Sequence, residues 1–146
     1  MISRLLALFV CVSALVWPPA MAETLNLAGH WTIEVVDAEA DETFSGTVVI
    51  TATDDSAVFD AVLITEDSCC NGNYSKVQQK SEIIVFEREI EVTSQIETFI
   101  IQNDPNPGGP YTEDDFNLKA QDDGALLGLM NGWKRVRWVR ANDGMV

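Results

Sequence analysis

The sequence has one histidine, and its 9 basic residues are far outnumbered by 23 acidic ones among 146 residues. Because His30 is the single histidine, the chain offers no histidine pair for a metal centre and no histidine-supported nucleophile. The shortage of lysine and arginine gives a formal net charge of -14, which repels nucleic acid and anionic lipid and favours solubility. We therefore expect a protein that is not an enzyme, holds no metal or cofactor and does not bind nucleic acid.

The sequence also lacks an apolar run long enough to span a bilayer. The longest one, residues 5–15, follows Arg4 and is succeeded by two prolines and Ala20-Met21-Ala22. This order of features is typical of a secretory signal peptide cleaved after Ala22, and an uncleaved anchor is the alternative. We expect residues 1–22 to be a signal peptide, residues 23–146 to form one domain, and the protein to be periplasmic or secreted with no membrane span.

Helical periodicity is missing as well, and short strands separated by turn signals take its place. Trp31, Ile33 and Val35 share one face of an extended strand. Asp-Asp-Gly at 122–124 and Asn131-Gly132 are turn signals. The predicted strands are residues 31–37, 44–53, 57–66, 74–80, 82–92, 95–102, 116–120, 125–130 and 133–140. Their hairpin spacing predicts an all-β fold, a single antiparallel up-and-down β-barrel of about eight strands, because closure removes exposed sheet edges.

Gly29-His30-Trp31 at the start of the first strand, with Arg140 near the end of the last, resembles the calycin superfamily of lipocalins, fatty-acid-binding proteins and avidins. The resemblance implies that Trp31 closes one end of the barrel and that Arg140 packs across it, as a guanidinium over an indole ring. Gly29 lets the backbone turn in before the strand. The tryptophans that line the biotin site of avidins are not reproduced, so the resemblance does not imply biotin binding.

Arg88 is the candidate ligand contact. Within residues 83–92 the even positions are apolar except Arg88, while positions 87, 89 and 91 are glutamates that mark the outward face. This pattern predicts a guanidinium inside the barrel, where it would meet the acid headgroup of a ligand, with Phe86 and Thr98 as further ligand-binding residues. The alternative places Arg88 near a barrel rim, reaching water or pairing with an acidic residue of a loop.

Two loops carry further hypotheses. The adjacent Cys69-Cys70 forms a vicinal disulfide, pairs between chains or stays free in an oxidising compartment. Residues 104–115 partly imitate a calcium loop, with Asp104, Asn106, Gly109 and Asp115 at positions 1, 3, 6 and 12. Glycine replaces the ligand at position 5 and strands flank the loop, so a solvated acidic loop is the preferred interpretation.

Three functions from different classes follow. The first is an exported lipocalin-like barrel that binds a small apolar or amphipathic molecule in an internal cavity. The second is an extracytoplasmic protein-interaction module with a filled barrel, such as an inhibitor of a secreted hydrolase or an envelope-associated structural protein. The third, an enzyme, has the least support because the paired acids fall in turns, which they stabilise. The volume of the side chains inside the barrel separates the first two.

Overall fold

A computed structural model describes residues 24–38, 43–69, 72–103 and 111–142, which form one closed barrel. Each strand pairs antiparallel with the next, and the last pairs with the first, which confirms the predicted all-β up-and-down barrel. The strands are β1 (Gly29–Val35), β2 (Thr43–Ala52), β3 (Val58–Cys69), β4 (Asn73–Phe86), β5 (Glu89–Asn103), β6 (Phe116–Ala120), β7 (Leu126–Met130) and β8 (Lys134–Arg140).

The two ends of the barrel differ in construction. We call the end where β1 begins and β8 ends the lower end, because Trp31 and Arg140 are partners in the β1–β8 register there. At the opposite, upper end β5 continues beyond its ladder with β6 as far as Asn103 and stays paired there with β4. The apolar core lies between the ends, where alternate side chains of all eight strands point inward.

The hairpin between β4 and β5 corrects the predicted strand over residues 82–92. The chain reverses at Glu87 and Arg88, and Phe86 pairs with Glu89 across the turn. Glu87 has φ 56°, a conformation that non-glycine residues seldom adopt. The reversal changes the inward positions from odd numbers such as Ile83 in β4 to even numbers such as Ile90 in β5.

Strand β5 separates from β6 above the middle of the barrel. The two strands pair only from Glu89 to Val92, although β5 continues to Asn103. Residues 111–115, which we call the plug segment, approach β5 at this point: Ser94 donates its backbone N–H to Asp115 Oδ1 at 2.7 Å and its hydroxyl to the Asp114 carbonyl at 2.7 Å. The plug segment has no strand structure of its own.

Candidate functional site

At the lower end the structure brings Gly29, Trp31 and Arg140 together. The buried Trp31 indole donates from Nε1 to the Leu27 carbonyl at 2.8 Å, and the Arg140 guanidinium carbon lies 4.5 Å from the centre of a Trp31 ring. Arg140 also donates to the carbonyls of Ala28, at 2.8 Å, and Asn26. Gly29 has φ 127°, and a Cβ at this position would lie 3.1 Å from Arg140 Nη1. The lower end is therefore closed by side chains and backbone in direct contact.

The middle of the barrel is filled by large side chains. Phe116 and Trp138 pack edge to face with ring centres 5.0 Å apart. An eight-stranded barrel is just wide enough for side chains to fill. The fully buried apolar residues of the interior include Trp138, Phe116, Ile33, Leu63, Ile83, Leu118 and Leu126, above Trp31 at the lower end. Among the described residues, this part of the interior is a packed core.

The structure does not bring Arg88, Phe86 and Thr98 together. The predicted position of Arg88 inside the barrel is wrong, because the residue lies in the β4–β5 turn with its side chain about half exposed, at 51%. Its Nε and Nη2 donate to the Ala120 carbonyl, and its Nη1 lies 2.8 Å from Asp122 Oδ1. These contacts agree with the alternative prediction, in which Arg88 lies near a barrel rim and pairs with an acidic residue of a loop. Phe86 is 73% exposed at the lower end, and Thr98 is exposed on the upper part of β5.

Above the apolar core, inward-facing polar side chains of three neighbouring strands form what we call the polar cup: Thr65, Gln79, Ser81 and Ser94. The carboxylate of Asp114, from the plug segment, occupies it. Asp114 Oδ2 accepts hydrogen bonds from Gln79 Nε2 at 2.6 Å, from the Tyr111 hydroxyl at 2.7 Å and from Thr65 Oγ1 at 2.9 Å. In return, the backbone N–H of Asp114 donates to Gln79 Oε1 at 2.9 Å. Thr65 and Gln79 of the cup thus meet one carboxylate, while the Ser94 hydroxyl donates to the backbone carbonyl of Asp114.

The electrostatics of the cup follow from its burial. Asp114 is 3% exposed, and this burial raises the pKa of its carboxyl group. The hydrogen bonds from Tyr111, Gln79 and Thr65 and the charge of Lys134 act in the opposite direction. Lys134 is itself buried, with its ammonium 4.8 Å from the Trp133 ring centre. Burial also raises the pKa of Tyr111, which keeps its hydroxyl protonated as a donor.

Sequence reasoning missed the polar cup. Gln79 and Ser81 occupy inward positions of β4, which the prediction divided at residue 81. One continuous strand would have put both polar side chains on the same face as Val77 and Ile83 and so indicated a polar interior. Asp114 carried no comparable signal, because it lies in an irregular segment where acidic residues usually face solvent.

Exposed apolar side chains gather at the upper end, in a set that we call the upper rim. Trp133, in the turn before β8, is 66% exposed. The upper rim consists of Val36, Phe99, Ile100, Ile101, Leu129 and Trp133. Phe99 also contacts the plug segment through an edge-to-face pair with Tyr111, with ring centres 6.2 Å apart.

Two shallow clefts lie on the outer surface of the barrel wall. One, of about 330 Å³, is lined by Val49, Val62 and Lys80 among others. The other, of about 170 Å³, lies at the lower end beside Ile84 and Phe86. Neither cleft opens into the polar cup, because their lining side chains are mostly those that point outward from the strands.

Several predictions fall outside the described residues: the signal peptide over residues 1–22, the Cys69-Cys70 disulfide, for which only the Cys69 backbone is described, and most of the calcium-like loop, residues 104–110. Across the described ranges, no group of three or more histidine, cysteine, aspartate or glutamate side chains is placed to hold a metal ion. The same ranges contain no helix with the length and apolarity to cross a bilayer.

Comparison of the chain with models of protein families, with curated proteins and with solved structures gave no match.

Proposed function

We propose that this protein is an exported, calycin-like barrel that works as a protein-binding module and contacts its partner through the upper rim. The observation that carries the proposal is the contrast between the packed middle of the barrel and the exposed apolar residues at one end. A carrier of the usual kind needs an internal cavity of several hundred Å³. Trp31, Phe116 and Trp138 occupy the space that such a cavity would need.

The composition of the upper rim supports a protein partner. Exposed apolar patches with aromatic residues are typical of protein interaction sites. On β5, residues 98–103 carry no charged side chain, although the chain as a whole has a net charge of -14. A partner that docks there therefore avoids much of the repulsion that the rest of this acidic surface imposes on other acidic proteins.

The lower end lacks the same features. Its one strongly exposed aromatic side chain among the described residues, Phe86, stands beside Glu89 and Arg88, which form ion pairs with Lys119 and Asp122. The closure by Trp31 and Arg140 uses its polar groups internally. Among the described residues, aromatic exposure and an uncharged run therefore occur together in the β5 part of the upper rim, at Phe99, while Val36 and Leu129 lie beside the Arg135–Asp37 ion pair.

Site-specific photo-crosslinking tests the proposal. A photoreactive phenylalanine derivative is placed at Phe99 or at Trp133 of the full chain, expressed and exported in the producing cell, and irradiated. We expect a discrete crosslinked protein band from both positions, which mass spectrometry then identifies. The matched control is the same derivative at Phe86, an exposed aromatic position at the opposite end.

Equal crosslinking from Phe86, or none from either upper-rim position, would contradict the proposal. Native mass spectrometry of the purified protein gives a second reading, because a molecule of a few hundred daltons retained by every copy would favour a carrier instead. The crosslinking variants lie on the surface, so each is checked for the thermal midpoint of the unmodified chain before irradiation.

A further inference from the structure

We propose that the polar cup is a carboxylate-binding site, filled in this structure by the chain's own Asp114, and that it accepts a small monocarboxylate when the plug segment moves out. This site lies inside the barrel and is separate from the upper rim, so the inference goes beyond the proposed function. The groups that contact Asp114 determine the class of ligand. The place where β5 separates from β6 provides the route by which the ligand enters the barrel.

The hydrogen-bond donors around Asp114, from the cup and from the plug segment, are arranged to bind one anionic oxygen. Gln79 Nε2, the Tyr111 hydroxyl and Thr65 Oγ1 all lie within 2.9 Å of Asp114 Oδ2. Hydrogen bonds to a charged acceptor are roughly twice as strong as those between neutral groups. The charge of Lys134 favours the ionised carboxylate from the β8 side. Two other acidic groups act on this cluster in the described chain: Asp67 raises the pKa of Tyr111, and Asp115 Oδ1 accepts the backbone N–H of Ser94.

Two of these donors belong to the wall of the barrel and not to the plug segment. Thr65 and Gln79 are fully buried on β3 and β4, next to Ser81 and Ser94, whose hydroxyls lie 2.8 Å apart. Well-packed apolar residues of similar volume are often at least as stabilising as a buried charged group with its polar partners. The polar wall is therefore explained by recognition of a carboxylate more directly than by the stability of the strands.

The plug segment is held differently from the strands around it. It pairs with no strand, and its attachments include the Asp114 contacts, the ring contact between Tyr111 and Phe99, and the bonds from Ser94. Backbone and side-chain bonds also join Asp115 and Asn131. Above Val92, β5 has no ladder with β6, so this segment lies in a gap of the barrel wall. Moving it out breaks these hydrogen bonds, including the backbone bond from the Asn131 N–H to the Asp115 carbonyl, but no bond of the eight-stranded ladder.

Chemical rescue provides the first test. Asp114→Ala removes the atoms of a formate ion from the cup, and Asp114→Gly removes those of an acetate ion. We expect formate to raise the thermal midpoint of Asp114→Ala, and acetate that of Asp114→Gly, along saturating curves with dissociation constants on the order of millimolar, since so few atoms make contact. Sodium chloride at equal ionic strength controls for screening, and Glu113→Ala, which removes an exposed carboxylate of the plug segment, controls for a neighbouring position.

The second test uses the unaltered chain. Butyrate is titrated while the backbone amide resonances of Ser94 and Asp114 are followed by NMR, because both amides donate to the plug segment or the cup. We expect saturable shifts confined to the cup and plug segment, with chloride producing none.

The outcomes are decisive in both tests. If formate and acetate act no better than chloride, the cup is a structural network and the proposal fails. Rescue of the variants without a response of the unaltered chain also overturns it, since the plug segment would then not give way. Should a variant unfold, recovery of its circular dichroism spectrum on adding the matching carboxylate supports the site, and no recovery counts against it. None of these results depends on crosslinking at the upper rim.

Discussion

At the scale of single residues, the two buried tryptophans of the barrel, Trp31 and Trp138, differ in how their indole groups are held. Trp31 and Trp138 are both buried, but only the Trp31 indole has a hydrogen-bond partner, the Leu27 carbonyl. Trp31 is also covered by Arg140, a contact worth about 0.5–2 kcal/mol depending on its desolvation. Trp138 is held by packing alone, against Phe116. Trp31 thus closes the lower end of the barrel, and Trp138 fills its middle.

Asp114 makes the stability of the protein depend on pH in an unusual direction. Burial raises the pKa of Asp114 above its ordinary value of 3.8, so the folded chain binds a proton at a pH where the unfolded chain has released it. Lowering the pH through the folded-state pKa therefore favours folding, and the gain is complete below the unfolded pKa. We predict that the unfolding free energy of the wild type rises relative to Asp114→Asn as the pH falls from about 7 to about 4.

Urea unfolding of both proteins at several pH values measures this difference. Asp123 supplies a control of opposite sign, because the backbone N–H of Ala125 and the Arg137 side chain lower the pKa of its carboxyl group. The wild type should lose stability relative to Asp123→Asn as the pH falls below the ordinary pKa of 3.8. A wild type that loses stability relative to Asp114→Asn on acidification would show that the hydrogen bonds outweigh burial at Asp114.

At the scale of the elements, strand β7 depends on close approach to β6. A Cβ on Gly128 would lie 2.0 Å from the Asn117 carbonyl oxygen and 2.8 Å from the Leu118 Cα, so the backbones must move apart to accept it. We predict that Gly128→Ala lowers the unfolding free energy by about 3 kcal/mol or more, since overpacking against backbone cannot be relieved by a side-chain rotation. Urea denaturation followed by tryptophan fluorescence measures the loss.

Gly124→Ala is the matched control for this substitution. Gly124 lies in the β6–β7 turn with φ 85°, and a Cβ there would meet no atom within 4 Å. Its cost is the left-handed backbone alone, about 1–2 kcal/mol. If Gly128→Ala proved no more destabilising than Gly124→Ala, the β6–β7 approach would be softer than the distances require.

Most strands were predictable from the sequence, but the turn between β4 and β5 was not. Strand β6 has the predicted bounds, because turn residues mark its ends and its apolar residues alternate. The β4–β5 turn was missed because Glu87-Arg88 carries none of the usual turn residues. Ile84 and Phe86 continue the alternation on the outer face. The missed turn placed Arg88 inside the barrel. Predicted breaks at residue 81 and residues 93–94, which lie within β4 and β5, divided the strands that carry Gln79, Ser81 and Ser94, so the sequence predicted the architecture but not the polar cup.

At the scale of the whole molecule, the packed interior of the closed barrel stabilises the fold, whereas repulsion among the surface charges destabilises it. The barrel leaves most charged side chains on its outer face, where pairs such as Arg135–Asp37 and Arg137–Asp123 are largely exposed. Each such pair contributes about 0–1 kcal/mol, while the net charge of -14 produces repulsion over the entire surface. The fold must therefore be stabilised by its interior, which agrees with the dense packing around Phe116 and Trp138.

We predict from this balance that sodium chloride stabilises the protein. Raising the ionic strength from about 0.01 M to about 0.1 M shortens the Debye length from about 30 Å to about 10 Å, which screens long-range repulsion more than contacts within 3 Å. The thermal midpoint should therefore rise with salt in this range.

Lys80→Glu serves as the companion variant, since Lys80 is an exposed outer-face residue beside Asp60 and Glu97. It should have a lower midpoint than the wild type at low salt, and the gap should narrow as salt is added. A midpoint that falls with salt would instead show that the surface ion pairs outweigh the repulsion.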